Sequence, residues 1–253
     1  MASLLEALEI ALTKLRRKRV SRRIFDENGG VVRHGLFTGL KLNGNANTSQ
    51  GNLGAKTCGL YEGEIIAQIE KLGPFRDIVN FGGADGYFSL GPLVAGLAER
   101  SICFEMTEKG RAEIATNAAN NGLEDKIIVK GAVDETAGAV LADLAFDPQS
   151  ALVLCDIEGA EFSVLTAELL SYLKGATLIV ELHDRMMPEG LSLREELIAR
   201  LPEDAQTSLI TGEPADWRAV PGIVALSDND RALVCSDGRR VLGEWLLVTY
   251  PNT

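Results

Sequence analysis

The sequence predicts an α/β fold: a mostly parallel sheet with helices on both faces, plus a helical extension at the N-terminus. Three observations predict it. Short apolar runs recur at 77–81, 101–105, 126–130, 151–156 and 176–182. Each of the first four is followed by a helical pattern, at 86–98, 108–120, 137–145 and 161–173. The runs are continuously apolar rather than alternating, as strands buried on both faces are. A fifth helix is expected at 192–201, where Ser192 and Glu195 have capping-box spacing. Strand–helix units in succession imply a parallel sheet, and right-handed crossovers leave few topologies. Two later runs, 206–210 and 243–249, are expected to add two strands at one edge, making seven. An irregular segment with Pro214, Trp217 and Pro221 separates them.

The extension comes first in the chain. Ser3 and Glu6 have capping-box spacing, which satisfies the free backbone donors of a helix start. Leu4, Leu8, Leu12 and Leu15 form one apolar stripe. Lys14, Arg16, Arg17, Lys18, Arg19, Arg22 and Arg23 follow. Residues 1–23 thus hold seven basic against two acidic side chains, net +5, and residues 24–253 hold 18 against 34, net −16. Two readings fit. One is an arm that meets an acidic surface, a partner subunit or an anionic substrate. The other is a solvated basic helix that docks by its leucines. We expect the arm to cover part of the substrate cleft or to join a homodimer. Glu6 and Glu9 weigh against a transit peptide. Residues 26–55 are rich in Gly and Asn, which favour turns. The expected division is residues 1–50 as arm or cap and 51–253 as the main domain.

Composition narrows the function. The 253 residues are 46% hydrophobic and 24% charged, which suits one globular domain with a small appendage. The net charge of −11 repels phosphate backbones, so no nucleic-acid partner is expected. Cys58, Cys103, Cys155 and Cys235 form no CxxC pair, which argues against a zinc site or disulfide scaffold. Buried free thiols in a reducing compartment are expected, and with no secretory signal visible, a cytoplasmic location. No apolar run approaches the ~18–20 residues of a membrane span.

In an open α/β sheet, ligands bind outside the carboxyl ends of the strands. After the first strand the chain reads Asn80, Phe81, Gly82, Gly83, Ala84, Asp85, Gly86, Tyr87. Glycines let a backbone turn tightly beside a ligand, and the helix that follows presents free N–H groups. The second strand ends in Glu105, followed by Met106, and a carboxylate there can accept both hydroxyls of a ribose. A dinucleotide fold needs GxGxxG, and this chain puts Ala84 and Tyr87 at the second and third glycine positions. The S-adenosylmethionine form fits better through Asn80, Gly82, Ala84 and Gly86. Ala132, in the small-residue edge after the third strand, is placed to lie against an adenine. The fourth strand ends in Asp156, Ile157, Glu158, Gly159, Ala160, Glu161. Glu161 reads as an acid complementing a helix N-terminus, whereas Asp156 belongs to the strand tip. The fifth ends in Glu181, Leu182, His183, Asp184, with Glu181 and His183 on one face. His34, the other histidine, stands in the glycine-rich segment without an assigned role.

The stretches Asp77–Gly91, Asp156–Glu161 and Val180–Asp184 resemble FkbM-type S-adenosylmethionine-dependent methyltransferases. Lys56–Glu62 and Glu244–Val248 are similar to that group as well, so the resemblance spans roughly residues 50–250. It implies a Rossmann-like class I methyltransferase fold, with a seven-stranded sheet whose last strand is antiparallel. It also implies methyl transfer to hydroxyls of sugars or natural products. Asn80 departs from the group, where an acidic residue is common; an amide still bonds the cofactor's amino group.

The cofactor site expected on these grounds is Asn80, Gly82, Gly83, Ala84, Asp85, Gly86, Glu105, Met106, Ala132 and Asp156. Attack by a hydroxyl on a methyl group needs alignment and loss of the hydroxyl proton. His183 is the nearby side chain with a suitable pKa, and Glu181 or Asp156 is expected to orient it. A metal-assisted version uses Asp156, Glu181 and His183 or Asp184 to hold Mg²⁺. Transfer to nitrogen, a nicotinamide dehydrogenase and a non-catalytic cofactor-binding module are the competing readings. The acceptor is expected to be a small molecule.

Overall fold

The computed structural model describes residues 4–45, 50–188, 190–211, 216–236 and 243–251. Seven strands form one sheet: β1 (Phe75–Phe81), β2 (Ala98–Phe104), β3 (Ile127–Lys130), β4 (Ala151–Cys155), β5 (Thr177–Leu182), β6 (Gln206–Thr211) and β7 (Glu244–Thr249). Their order is β3-β2-β1-β4-β5-β7-β6. The pairings of β1 with β2 and β4, β2 with β3, and β4 with β5 are parallel. β7 runs antiparallel to both β5 and β6. The chain order reverses between β1 and β4, which opens a crevice at their carboxyl ends.

The helices are α1 (Leu4–Glu27), α2 (Leu53–Thr57), α3 (Gly63–Leu72), α4 (Tyr87–Val94), α5 (Glu108–Asn121), α6 (Ala137–Asp143), α7 (Glu161–Val164), α8 (Ala167–Tyr172), α9 (Gly190–Ala199), α10 (Pro221–Val224) and α11 (Asp228–Cys235). The sheet separates two apolar clusters, as period-2 strands require. Ile78, Leu152, Leu154 and Ile179 pack on one face with α3 and α4. Val79, Phe81, Val153 and Val180 pack on the other with α6, α8 and α9. At the amino end of the strands, fully buried Asp77 takes a bidentate pair from Arg100 at 2.7 and 2.9 Å.

Several elements differ from expectation. The helix expected over 161–173 is two helices, because Thr166 caps a new start by accepting from Leu169 N. The helix after β1 stops at Val94, where the chain turns through Gly96 at φ 71° and enters β2 at Ala98. Ser192 and Glu195 lie inside α9 rather than at its start. Residues 31–42 are tied down: Val32, Phe37, Leu40 and Leu42 join the cluster of Ile78. Phe37 fills the space above Gly91, where a Cβ would meet its ring at 2.3 Å.

The arm corrects the docking expectation. α1 packs on the body through Arg17, Val20, Ser21, Ile24 and Phe25, all in its second half. Leu4, Leu8, Leu12 and Leu15 are exposed. The stripe does not face the domain because the chain spends its docking residues on the other side of the helix. Ser3 lies outside the described residues.

Candidate functional site

The turn after β1 is held to its neighbours by backbone. Gly82 N and Gly83 N both donate to the Phe104 carbonyl, at 2.9 and 3.0 Å. Gly82 has φ 95°, and a Cβ there would lie 1.9 Å from the Asp156 carbonyl oxygen. A Cβ at Gly83 would lie 2.2 Å from Cys103 Sγ. The glycines are therefore demanded by close approach to β4 and β2. Ala84 and Gly86 also carry positive φ, so the turn winds back over the sheet edge before α4 begins.

Glu105 pins this turn. Its Oε2 accepts from Ala84 N at 2.9 Å, and its Oε1 accepts from Thr107 N and Thr107 Oγ1 at 2.8 and 2.6 Å. A carboxylate oxygen has two lone-pair sites, so Oε2 keeps capacity for one more donor. Met106 beside it is exposed, as is Ala132 beyond β3.

Asp85 is committed to a partner that sequence reasoning missed. Lys56 Nζ, from α2, donates to both carboxylate oxygens at 2.8 and 2.7 Å, and both side chains are 4% exposed. The ammonium also lies 4.9 Å from the Tyr61 ring centre and 5.2 Å from that of Tyr87, within cation–π range. Asn80 Nδ2 donates to Ser89 Oγ at 3.0 Å. A cleft opens among Lys56, Tyr61, Asn80, Gly82, Tyr87 and Asp156, with Trp245 at its wall. Tyr87 is buried, and its hydroxyl has no hydrogen-bond partner.

Across the β4–β5 edge stands His183, 6% exposed. Its Nδ1 lies 3.1 Å from Glu161 Oε1. Its Nε2 lies 3.7 Å from Asp156, 3.6 Å from Glu158 and 3.8 Å from Glu181. The structure thus brings Asp156, Glu181 and His183 together and adds Glu158 and Glu161. Glu161 is fully buried and held by two backbone donors, His183 N at 2.9 Å and Gly159 N at 2.8 Å. An ionised carboxylate only accepts, so Nδ1 carries the proton in the neutral ring and Nε2 the lone pair. Burial alone would lower the imidazole pKa. The hydrogen bond to Glu161 and the charges of Glu161, Asp156 and Glu158 outweigh it and raise the pKa above its ordinary value. Reading Glu161 as a helix-terminal acid concealed this role; its spacing of five residues from Asp156 was the available signal.

Among the described residues, ligand atoms of Asp156, Glu158 and His183 all lie within 4.8 Å of one another. Asp184, the alternative ligand expected from sequence, is buried and taken by Arg194 at 2.7 Å; Arg194 also binds Glu244 at 2.6 Å. All four cysteines are free, and burial pushes the Cys58 thiol up to about 11 and that of Cys103 up to about 12. No helix among the described residues is long and apolar enough to cross a membrane.

No protein-family model matches the chain, and no curated protein matches its sequence. Solved structures do match its fold. An O-methyltransferase from Bacillus cereus in complex with SAH aligns with a TM-score of 0.51 at 14% identity, over 75% of this chain and 80% of its own. Cofactor-bound Rv0187 from MTB aligns with a TM-score of 0.51 at 15% identity, over 76% and 80%. The fold is the Rossmann-like methyltransferase fold.

Proposed function

We propose that the chain is an S-adenosylmethionine-dependent methyltransferase of FkbM type that methylates a hydroxyl on a sugar or small natural product in the cytoplasm. One observation carries this reading: a Glu161-held imidazole whose Nε2 lies 3.7 Å from Asp156, which also lines the cleft beside the glycine turn. The fold matches an O-methyltransferase that holds SAH.

The donors and acceptors present fit this cofactor. Glu105 Oε2 can take a ribose hydroxyl, Asn80 and Asp156 can face an ammonium, and the Tyr87 hydroxyl needs a partner. A dinucleotide pyrophosphate would need free N–H groups in the turn, and those of Gly82, Gly83 and Ala84 are already used. Gly82, Gly83, Ala84, Asp85 and Gly86 shape the floor of the site, with Met106 and Ala132 at the adenine side. Residues 51–253 bind cofactor and acceptor, and residues 1–50 act as arm or cap, with Val32, Phe37, Leu40 and Leu42 packed into the main core.

When bound, the cofactor supplies a methyl group already activated by its sulfonium. The protein's task is to align the acceptor and accept its proton. His183 Nε2 takes the hydroxyl proton, and Glu161 holds the ring in the tautomer that leaves Nε2 free for it. Asp156 and Glu181 stabilise the imidazolium that results.

A second reading is metal-assisted. Asp156, Glu158 and His183 offer two carboxylates and an imidazole, a set suited to a divalent cation that lowers a hydroxyl pKa.

Calorimetry with S-adenosylhomocysteine and with NAD tests the cofactor, and labelled cofactor with a panel of hydroxyl and amine acceptors tests the transfer. Binding of S-adenosylhomocysteine alone, with label moving to a hydroxyl despite EDTA, is the expected result. Loss on chelation and recovery with Mg²⁺ would establish the metal route. Label on amines only would reassign the acceptor atom, and NAD binding would overturn the reading.

A further inference from the structure

The N-terminal helix projects from the body. α1 is held there by its second half: Arg17 donates to Gly51 O, Asn52 Oδ1 and Ser236 O, and Ser21 Oγ accepts from Gly54 N. Every residue from Leu4 to Arg16 is exposed. Isolated helices of about 12–15 residues are marginal in water, so this projecting segment needs a surface to lie on.

At about 100° per residue, Leu4, Leu5, Leu8, Leu12 and Leu15 fall within one narrow arc. They are 90%, 66%, 54%, 56% and 65% exposed. Val20 and Ile24, which dock on the body, lie on the other side of the helix. Arg19, Arg22 and Arg23 fall within the leucine arc, further along the helix. Arg22 pairs with Asp26 and Arg23 with Glu27, both pairs exposed, while Arg19 is exposed beside Lys18. The outward face therefore runs from five leucines into a basic tract, with a body of net −16 behind it.

We propose that this face binds an anionic lipid surface, with the leucines in the acyl boundary and the arginines among the headgroups. Such a surface offers apolar depth and negative charge in one plane. A second copy of the chain matches the face poorly. Parallel pairing would set basic tract against basic tract. Antiparallel pairing would set the seven basic side chains of each tract against only Glu6 and Glu9 at the start of the partner's helix. Nucleic acid would meet the arginines but leave the leucines in water.

Vesicle flotation with the full chain tests this, using phosphatidylcholine vesicles with and without phosphatidylglycerol. The chain should float with the anionic vesicles, at least about tenfold more than with the neutral ones, and release as salt rises. The double variants Leu8→Glu/Leu12→Glu and Arg19→Glu/Arg23→Glu should each lose about tenfold or more of that binding. Their melting temperatures should stay within a few degrees of the parent, because these residues are exposed and only the solvated Arg23–Glu27 pair is lost. Absence of flotation, or equal flotation on both vesicle types, overturns the proposal. A dimer in light scattering that the leucine variants convert to monomer assigns the face to a second copy instead. Tight RNA binding lost in the arginine variants assigns it to nucleic acid.

Discussion

Two charge groups stand at the carboxyl edge of the sheet and are composed in opposite ways. Lys56 and Asp85 form a balanced pair, one ammonium on one carboxylate, under two aromatic rings. His183 faces four carboxylates, three of them clustered around Nε2. Removing ions from water costs several kcal/mol each, and a close opposite charge offsets it. The first group meets that condition; in the second, buried Glu161 and Glu181 share one imidazole, while Asp156 is half-buried and Glu158 is exposed. The surplus of negative charge raises the basicity of one nitrogen, as the proposed role of proton acceptor requires.

The comparison can be broken most severely at His183. His183→Ala should lower methyl transfer by about 10²–10⁴-fold, the loss of a general base, while S-adenosylhomocysteine affinity stays close to the parent. Near-parental turnover would remove His183 from the chemistry. Lys56→Met should behave in the reverse sense. It takes the ammonium away from the buried Asp85 carboxylate, at a cost of about 3–5 kcal/mol in denaturant unfolding, and Lys56→Met/Asp85→Leu should recover much of that. A small effect of the single variant would show that the pair is dispensable.

Glu105→Ala should weaken S-adenosylhomocysteine by about 10- to 100-fold in calorimetry, as for a lost charge-assisted hydrogen bond of about 1.5–3 kcal/mol. The variant also frees the Ala84 amide, so the turn itself should exchange hydrogen faster. Unchanged affinity would take Glu105 out of the cofactor site.

The smallest effect is on stability against pH. The folded pKa of His183 is raised, so its contribution is fully present below the unfolded value of about 6.5 and is lost as pH rises through the folded value. The stability difference between the parent and His183→Gln should shrink over that window. A difference that grows with pH would contradict the cluster's electrostatics.

The sheet was legible because β1, β2, β4 and β5 are buried on both faces and read as continuous apolar runs. The strand tips were legible for the same reason, since Asp156, Glu181 and His183 interrupt those runs. What stayed hidden depends on distant partners. Lys56 carries no local sign of Asp85, 29 residues away. Val32, Phe37 and Leu40 are core residues without a period, because turns rather than a helix or strand bring them to α4. Glu161 has two valid local readings, and only the position of His183 N and Nδ1 decides between them. The leucine stripe has perfect helical spacing, yet spacing does not say which side of a helix the body occupies.

Glu161 and its neighbouring carboxylates make His183 a stronger base. NMR titration of the imidazole tests it without any knowledge of the acceptor. The chain has two histidines, so His34→Gln assigns the signals. The His183 midpoint should lie above the ordinary value and fall in Glu161→Gln. A midpoint at or below the ordinary value, unmoved by Glu161→Gln, would contradict it.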